Sequence, residues 1–354
     1  MRAFLKNWPL LGLIAGTAAG LIIGAAACGA DAPKKNDTAD KTIEKFAGAW
    51  KDPAEKQLLS LNFSPYYLSG ADPEYQTPLT EDAVYDALAA IAPYADTIRT
   101  FGVSGELGRV FALAKGTYPY RDSEEIIFVN KNNNEAFSFR IIAGCWIGAG
   151  YGEDQIKYEL DTLIGLGDDG LADILVVGSE GLYRRDYTAD DLIGWIGYVK
   201  GNLTADVPVG TSDTAGAYMD NPELFGAVDV ALYTYYPFFN GVHISRAIRD
   251  FEGMHRRLAA LAGETKLICS ETGWKFEGTP VGDAEPGETE AAEYFERIVE
   301  YALDAHLEIC YFEAIEEKVW KIKYDDAGWG LLDENLNIRP SVAGAMDRIM
   351  EGRF

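Results

Sequence analysis

The chain alternates short runs of consecutive apolar residues with longer stretches in which apolar positions recur at helical spacing. A run such as Ile174, Leu175, Val176 and Val177, with no polar residue inside it, reads as a parallel strand covered on both faces. By that criterion strands fall near 59–64, 97–101, 137–146, 173–178, 207–211, 228–235, 266–270 and 308–313. Amphipathic segments at 80–94, 104–115, 153–165, 188–199, 242–262, 288–306 and 340–351 read as helices. In the first of them Thr80 can cap the helix, and Glu81 and Asp82 suit its positive end. Strands and helices alternating eight times in about 300 residues predict an α/β fold, a closed (β/α)8 TIM barrel rather than an open sheet. The stretch 117–136, with its NKNNN run, reads as a loop between a helix and the next strand, which a barrel places on its N-terminal face.

The first residues follow another pattern. Arg2 and Lys6 precede a chargeless run from Trp8 to Ala27, which ends in AAAC at 25–28. Residues 1–28 therefore read as an export signal with a possible lipobox, and Cys28 as the lipidation site. An uncleaved anchor and simple secretion are the alternatives, and all three place the remaining chain outside the cytoplasm, with the membrane as an N-terminal partner in two of them. Residues 29–57, rich in Asp, Lys, Ala, Pro and Thr, read as a flexible tether, leaving 58–354 for the barrel.

Charge and composition then remove several function classes. Fifty-six acidic against 31 basic residues give a net charge of −25, which repels phosphate backbones and argues against nucleic acid as a partner. The three histidines, His243, His255 and His306, lie far from one another and from any cysteine cluster, so zinc hydrolase and Ser-His-Asp chemistry both lack parts. Cys145, Cys269 and Cys310 sit in apolar runs as small buried hydrophobes, which argues against a disulfide framework.

The candidate chemistry lies at two strand ends. Glu180 follows the run that closes with Gly178 and Ser179, and about ninety residues later Glu271 follows Leu267, Ile268, Cys269 and Ser270. Two glutamates at the C-terminal ends of two barrel strands share one rim, as paired-carboxylate chemistry requires. Such chemistry needs neither metal nor organic cofactor. Aromatic residues also collect at strand ends, among them Tyr66, Trp146, Tyr233, Phe238, Trp274 and Trp320, and flat apolar rings with polar edges suit pyranose sugars.

Read in order, these segments resemble glycoside hydrolase family 17, the β-1,3-glucanases and glucanosyltransferases. LNFSPYY at 61–67, TIRTFG at 97–102 and RIIAGCWIG at 140–148 are similar to the family's first three strands, and VVGSEGLYR at 176–184 to its acid/base motif. YYPFFNG at 235–241, SETGW at 270–274, YFEAIEEKVWK at 311–321 and WGLLD at 329–333 continue the series. The resemblance implies a retaining double displacement on β-glucan, β-1,3-linked first of all, with Glu180 as general acid/base and Glu271 as nucleophile. It further implies that Glu180 holds a proton while Glu271 is ionised, and that Arg99 and Tyr236 orient the nucleophile. Tyr66, Trp146, Trp274, Trp320, Ser179 and Glu313 are the remaining expected sugar contacts, with Glu316 and Glu317 solvated or binding hydroxyls. Ser179 stands where the family usually carries Asn, which bears on linkage preference and rate. Two alternatives keep the barrel: a glucan transglycosylase, and a non-catalytic surface glucan-binding protein.

Overall fold

The structure, a computed structural model, describes residues 59–68, 71, 78–117, 128–129, 136–322 and 325–351. The export segment 1–28 with Cys28, and the tether 29–57, lie outside the described residues. Among those described, no helix is long and apolar enough to cross a membrane.

Eight parallel strands close into a barrel: β1 (Leu59–Asn62), β2 (Ala95–Arg99), β3 (Arg140–Cys145), β4 (Ile174–Ser179), β5 (Val209–Thr214), β6 (Val230–Thr234), β7 (Lys266–Thr272) and β8 (Glu308–Tyr311). The ring is completed where Ser60 and Leu61 of β1 pair with Cys310 and Tyr311 of β8. Helices lie between the strands, including α1 (Glu81–Ile91), α2 (Gly108–Lys115), α3 (Glu153–Asp168), and the short α4 (Gly181–Arg184) that begins directly beyond β4. Thr80 caps α1 as its sequence suggests, accepting the Ala83 N–H at 3.1 Å. The stretch 117–136 contributes a strand pairing at Phe128–Val129 with Ala136–Phe137, where Phe128 packs on Phe137, Phe139 and Tyr85 of α1. Its position between α2 and β3 is the N-terminal end of the barrel, and its remaining residues lie outside those described.

The uninterrupted apolar runs are explained by two cores. Along β4 the side chains alternate: Leu175 and Val177 join the shell between strands and helices, while Ile174 and Val176 point into the lumen. Inside, they meet Ile142, Val230, Leu232, Ile268 and Cys310, forming one apolar belt across the barrel. Below the belt, at the strand N-termini, Arg140 bonds Glu308 at 2.5 Å and Ser60 donates to the same carboxylate at 3.2 Å. Above it the lumen turns polar again, with Asn62, Arg99, Ser179, Ser212 and Ser270 all buried. β5 extends past the expected 211 to Thr214 because the polar Ser212, Asp213 and Thr214 each find partners at this mouth, so their polarity does not end the strand.

The pair at the barrel base is desolvated on both sides. Replacing Glu308 by Leu removes the carboxylate that Arg140 bonds in this desolvated site, and the expected loss is about 3–5 kcal/mol of unfolding free energy. Chemical denaturation checks this; an unchanged midpoint and slope would show that the pair contributes nothing.

Candidate active site

The backbone at the end of β4 is built to present one side chain. Gly178 has φ +73°, and a Cβ there would lie 2.3 Å from the Tyr187 hydroxyl. Glu180 itself has φ +52°, in the left-handed region that costs a non-glycine residue roughly 1–2 kcal/mol. Three contacts hold it there. The Glu180 N–H donates to the Ser212 carbonyl at 2.8 Å, and the next turn hangs from Asp213, whose carboxylate accepts from the N–H groups of Leu182 at 2.9 Å and Tyr183 at 3.3 Å. Tyr187 packs so closely under the following residue that a Cβ on Gly181 would lie 2.1 Å from its ring. The glycines on either side of Ser179 and Glu180 are thus steric requirements of the turn.

Glu271, near the end of β7, is gripped at both oxygens. Arg99 Nη1 donates to Oε1 at 2.7 Å and the Tyr236 hydroxyl donates to Oε2 at 2.9 Å. Arg99 is fully buried beneath the site, and its guanidinium also donates to Asn62 Oδ1 at 2.8 Å and to the hydroxyls of Ser179 and Ser212, each at 3.1 Å. Ser212 shares a 2.8 Å hydrogen bond with Ser270, and Asn62 Nδ2 donates to the carbonyls of Ser270 and Cys310, each at 2.9 Å. Ladder irregularities between Val176 and Ser179, and between Tyr233 and Thr234, fall next to the two carboxyl-bearing positions. Irregularities of this kind re-aim a side chain at a strand end.

Glu180 has the opposite surroundings. Burial is the main force pushing its carboxyl up, to about 8, with the nearby Glu271 and then Asp213 adding to the shift. Thr234 Oγ1, which donates to Glu180 Oε1 at 2.6 Å, pulls the other way, as does Arg184. Asp213 is raised to about 6 by its own burial despite three backbone N–H donors. Burial and the two glutamates hold the Tyr236 phenol firmly protonated, as a donor to Glu271 requires.

Both carboxyls open into one cavity of about 1040 Å³. Tyr66, Trp146, Ser179 and Tyr236 line it, and the Arg184 guanidinium lies 4.1 Å over the Trp146 ring. Other expected contacts lie elsewhere. Trp274 is wholly buried between Phe238 and Tyr294, its indole N–H donating to the Glu285 carbonyl at 2.8 Å, so this ring is core. Phe238 is likewise core, and Tyr233 turns outward, its hydroxyl 3.0 Å from His255 Nδ1. Glu313 is buried off the cavity wall and paired with Lys321, while Glu317 joins the same lysine at 3.1 Å and does reach the wall. Glu316 is fully buried and off the cavity wall: it accepts the N–H groups of Gly328 and Gly330 and so fixes the loop carrying Trp329. The Trp320 side chain lies outside the described residues.

A model of the BtgE/BtgC glycoside hydrolase domain matches residues 123–330, which include both carboxyl-bearing turns. The chain belongs to this glycoside hydrolase family. A glucan 1,3-beta-glucosidase of Schizosaccharomyces pombe is 29% identical over 303 residues, spanning 80% of this hydrolase and 84% of the relative. Another from Arthroderma benhamiae is 28% identical over 214 residues, 54% of this chain and 68% of that protein. The fold is shared with a glycoside hydrolase family 17 beta-1,3-glucanosyltransferase from Rhizomucor miehei, at TM-score 0.64 and 21% identity over 82% of this chain and 98% of that one. The motif order had implied this family type, and the barrel is the one it implied.

Thr234, Asp213, Ser212 and Ser270 were not singled out from the sequence of the hydrolase, although all four stand beside the carboxyls or under them. Their signal is faint: polar residues in the final positions of strands whose earlier residues are apolar, as in VGTSDT and VALYT. A reaction that draws its proton from Glu180 loses rate as pH rises through about 8, because the carboxyl is then deprotonated. Thr234→Val removes a bond to the charged form, so the alkaline limb of kcat/KM moves to higher pH. A limb that stays in place, or moves down, would show that Thr234 does not set the proton affinity of Glu180.

Proposed function

We propose that this glycoside hydrolase acts on β-1,3-linked glucan by a retaining double displacement, with Glu271 as nucleophile and Glu180 as general acid/base. The observation that carries the reading is the contrast within one cavity: Glu271 is held by a guanidinium and a phenol, while Glu180 is raised to about 8. Divergent environments of two carboxyls are what separate an acid from a nucleophile. Glu271 attacks the anomeric carbon as Glu180 protonates the departing glycosidic oxygen, leaving a glycosyl ester on Glu271. Glu180, now a carboxylate, takes the proton of the incoming hydroxyl as it displaces that ester. The linkage rests on the glucan 1,3-beta-glucosidases to which the chain is similar.

Residues 29–354, incubated with a defined linear β-1,3-gluco-oligosaccharide, are expected to yield shorter products by mass spectrometry. Products longer than the substrate would mean that a sugar hydroxyl replaces water in the second step, the transglycosylase variant of the same chemistry. The roles are tested with azide. Glu180→Ala should return a β-glycosyl azide from the trapped intermediate, and Glu271→Ala an α-glycosyl azide by direct displacement; the reverse pattern would exchange the assignments. No turnover on any β-glucan, with binding retained, would leave a glucan-binding protein.

We also propose that the enzyme is exported and held at a membrane through a lipid on Cys28, facing the periplasm or the cell exterior. Arg2, Lys6, the apolar run to Ala27 and the AAAC sequence support this. Metabolic labelling with a fatty acid should mark the wild type and not Cys28→Ala; equal labelling would reject the site.

A further inference from the structure

Arg184, the last residue of the short α4, reaches back to the strand end from which that helix starts. Its Nη2 donates to the Ser179 carbonyl at 2.7 Å, and its own N–H donates to the Glu180 carbonyl at 3.0 Å. One residue therefore binds the peptide groups on both sides of the Glu180 Cα, where the backbone is held at φ +52° and ψ +23°. The side chain has supports of its own. Nε donates to Asp186 Oδ2 at 2.8 Å in an ion pair that is nearly buried, and the guanidinium carbon lies 4.1 Å from the centre of the Trp146 ring, just past β3. A planar fork bound on one edge and covered by a ring has little freedom to swing away. The hydrogen bond to Glu180 Oε1 itself comes from Thr234.

On the retaining reading above, negative charge moves across the cavity during a turnover. Glu271 gives up its charge to the glycosyl ester as Glu180 acquires one, so the anion passes from the carboxyl beside Arg99 to a carboxyl that feels Arg184. The titratable and charged groups that act on Glu180 or are acted on by it are Glu271 on β7, Asp213 on β5, Tyr236 beyond β6, and Tyr183 and Arg184 on α4. Arg184 is the cation among these. We propose that Arg184 is a positioning residue for proton transfer, which fixes the backbone turn that aims the Glu180 carboxyl and supplies the positive charge against which the Glu180 carboxylate forms. Asp186 and Trp146 hold the arginine in turn. The inference rests on the retaining reading and adds to it the group that keeps the acid/base aimed.

The leaving group separates proton transfer from the rest of catalysis. A β-1,3-gluco-oligosaccharide needs a proton on its departing oxygen, a dinitrophenyl β-glycoside of the same series does not, and kcat/KM reports bond breaking in both. In the full chain, Arg184→Gln is expected to lower kcat/KM by about tenfold or more on the oligosaccharide and by less than about threefold on the dinitrophenyl glycoside. Its alkaline limb on the oligosaccharide moves to higher pH, because a cation that favours the carboxylate is gone. Arg184→Lys keeps the charge without the fork: it loses part of the oligosaccharide rate with the limb in place, and remains informative if Arg184→Gln fails to fold. Equal losses on the two substrates, no loss on either, or an unmoved limb in Arg184→Gln would overturn the positioning role and leave the retaining reading intact. A wild type that turns over neither substrate would overturn the reading and the role together.

Discussion

A single buried cation organises the catalytic mouth of this barrel. The Arg99 guanidinium has no exposure to water, and a group that is charged at every physiological pH cannot be buried without an anion. Glu271 is that anion, and its position is therefore set by charge as well as by the strand that carries it. Its two Nη groups also donate to Asn62 of β1, Ser179 of β4 and Ser212 of β5, so one planar fork ties four strands besides its own. Rigid forks of this kind fix geometry in a way that a lysine could not.

The same arrangement explains why the two glutamates diverge. Arg99 and Tyr236 donate to both oxygens of Glu271, while Glu180 is reached by a hydroxyl from Thr234 and by the charge of Arg184. The two anionic neighbours of Glu180, Glu271 and Asp213, raise its proton affinity further. Ser179 has its hydroxyl engaged by Arg99, so the residue preceding Glu180 is tied into the floor under Glu271.

The strand runs and both carboxyl positions were legible in the sequence because they are local: an uninterrupted apolar run is a buried parallel strand, and a glutamate just past it stands on the rim. The rest depends on rotations that a run of residues does not encode. Trp274 and Glu313 both follow strand ends, yet one ring turns down into the core and one carboxylate turns toward a lysine eight residues away. Thr234 and Asp213 act on Glu180 from other strands, and nothing in their own neighbourhoods announces that reach. Arg99 was legible through family resemblance; its grip on the serines was not, since serine at a strand end is ordinary.

The apolar belt in the lumen, Ile142, Ile174, Val176, Val230, Leu232, Ile268 and Cys310, lies between the ionic pair at the base and the Arg99 network at the mouth. In electrical terms it is an insulator. It separates two buried ion pairs inside one barrel, Arg140–Glu308 below and Arg99–Glu271 above. The separation makes the two ends of the lumen independently adjustable: changes at the base are felt as resistance to unfolding, changes at the mouth as proton affinity. A lineage could then retune the chemistry of this barrel without reopening the question of whether it folds.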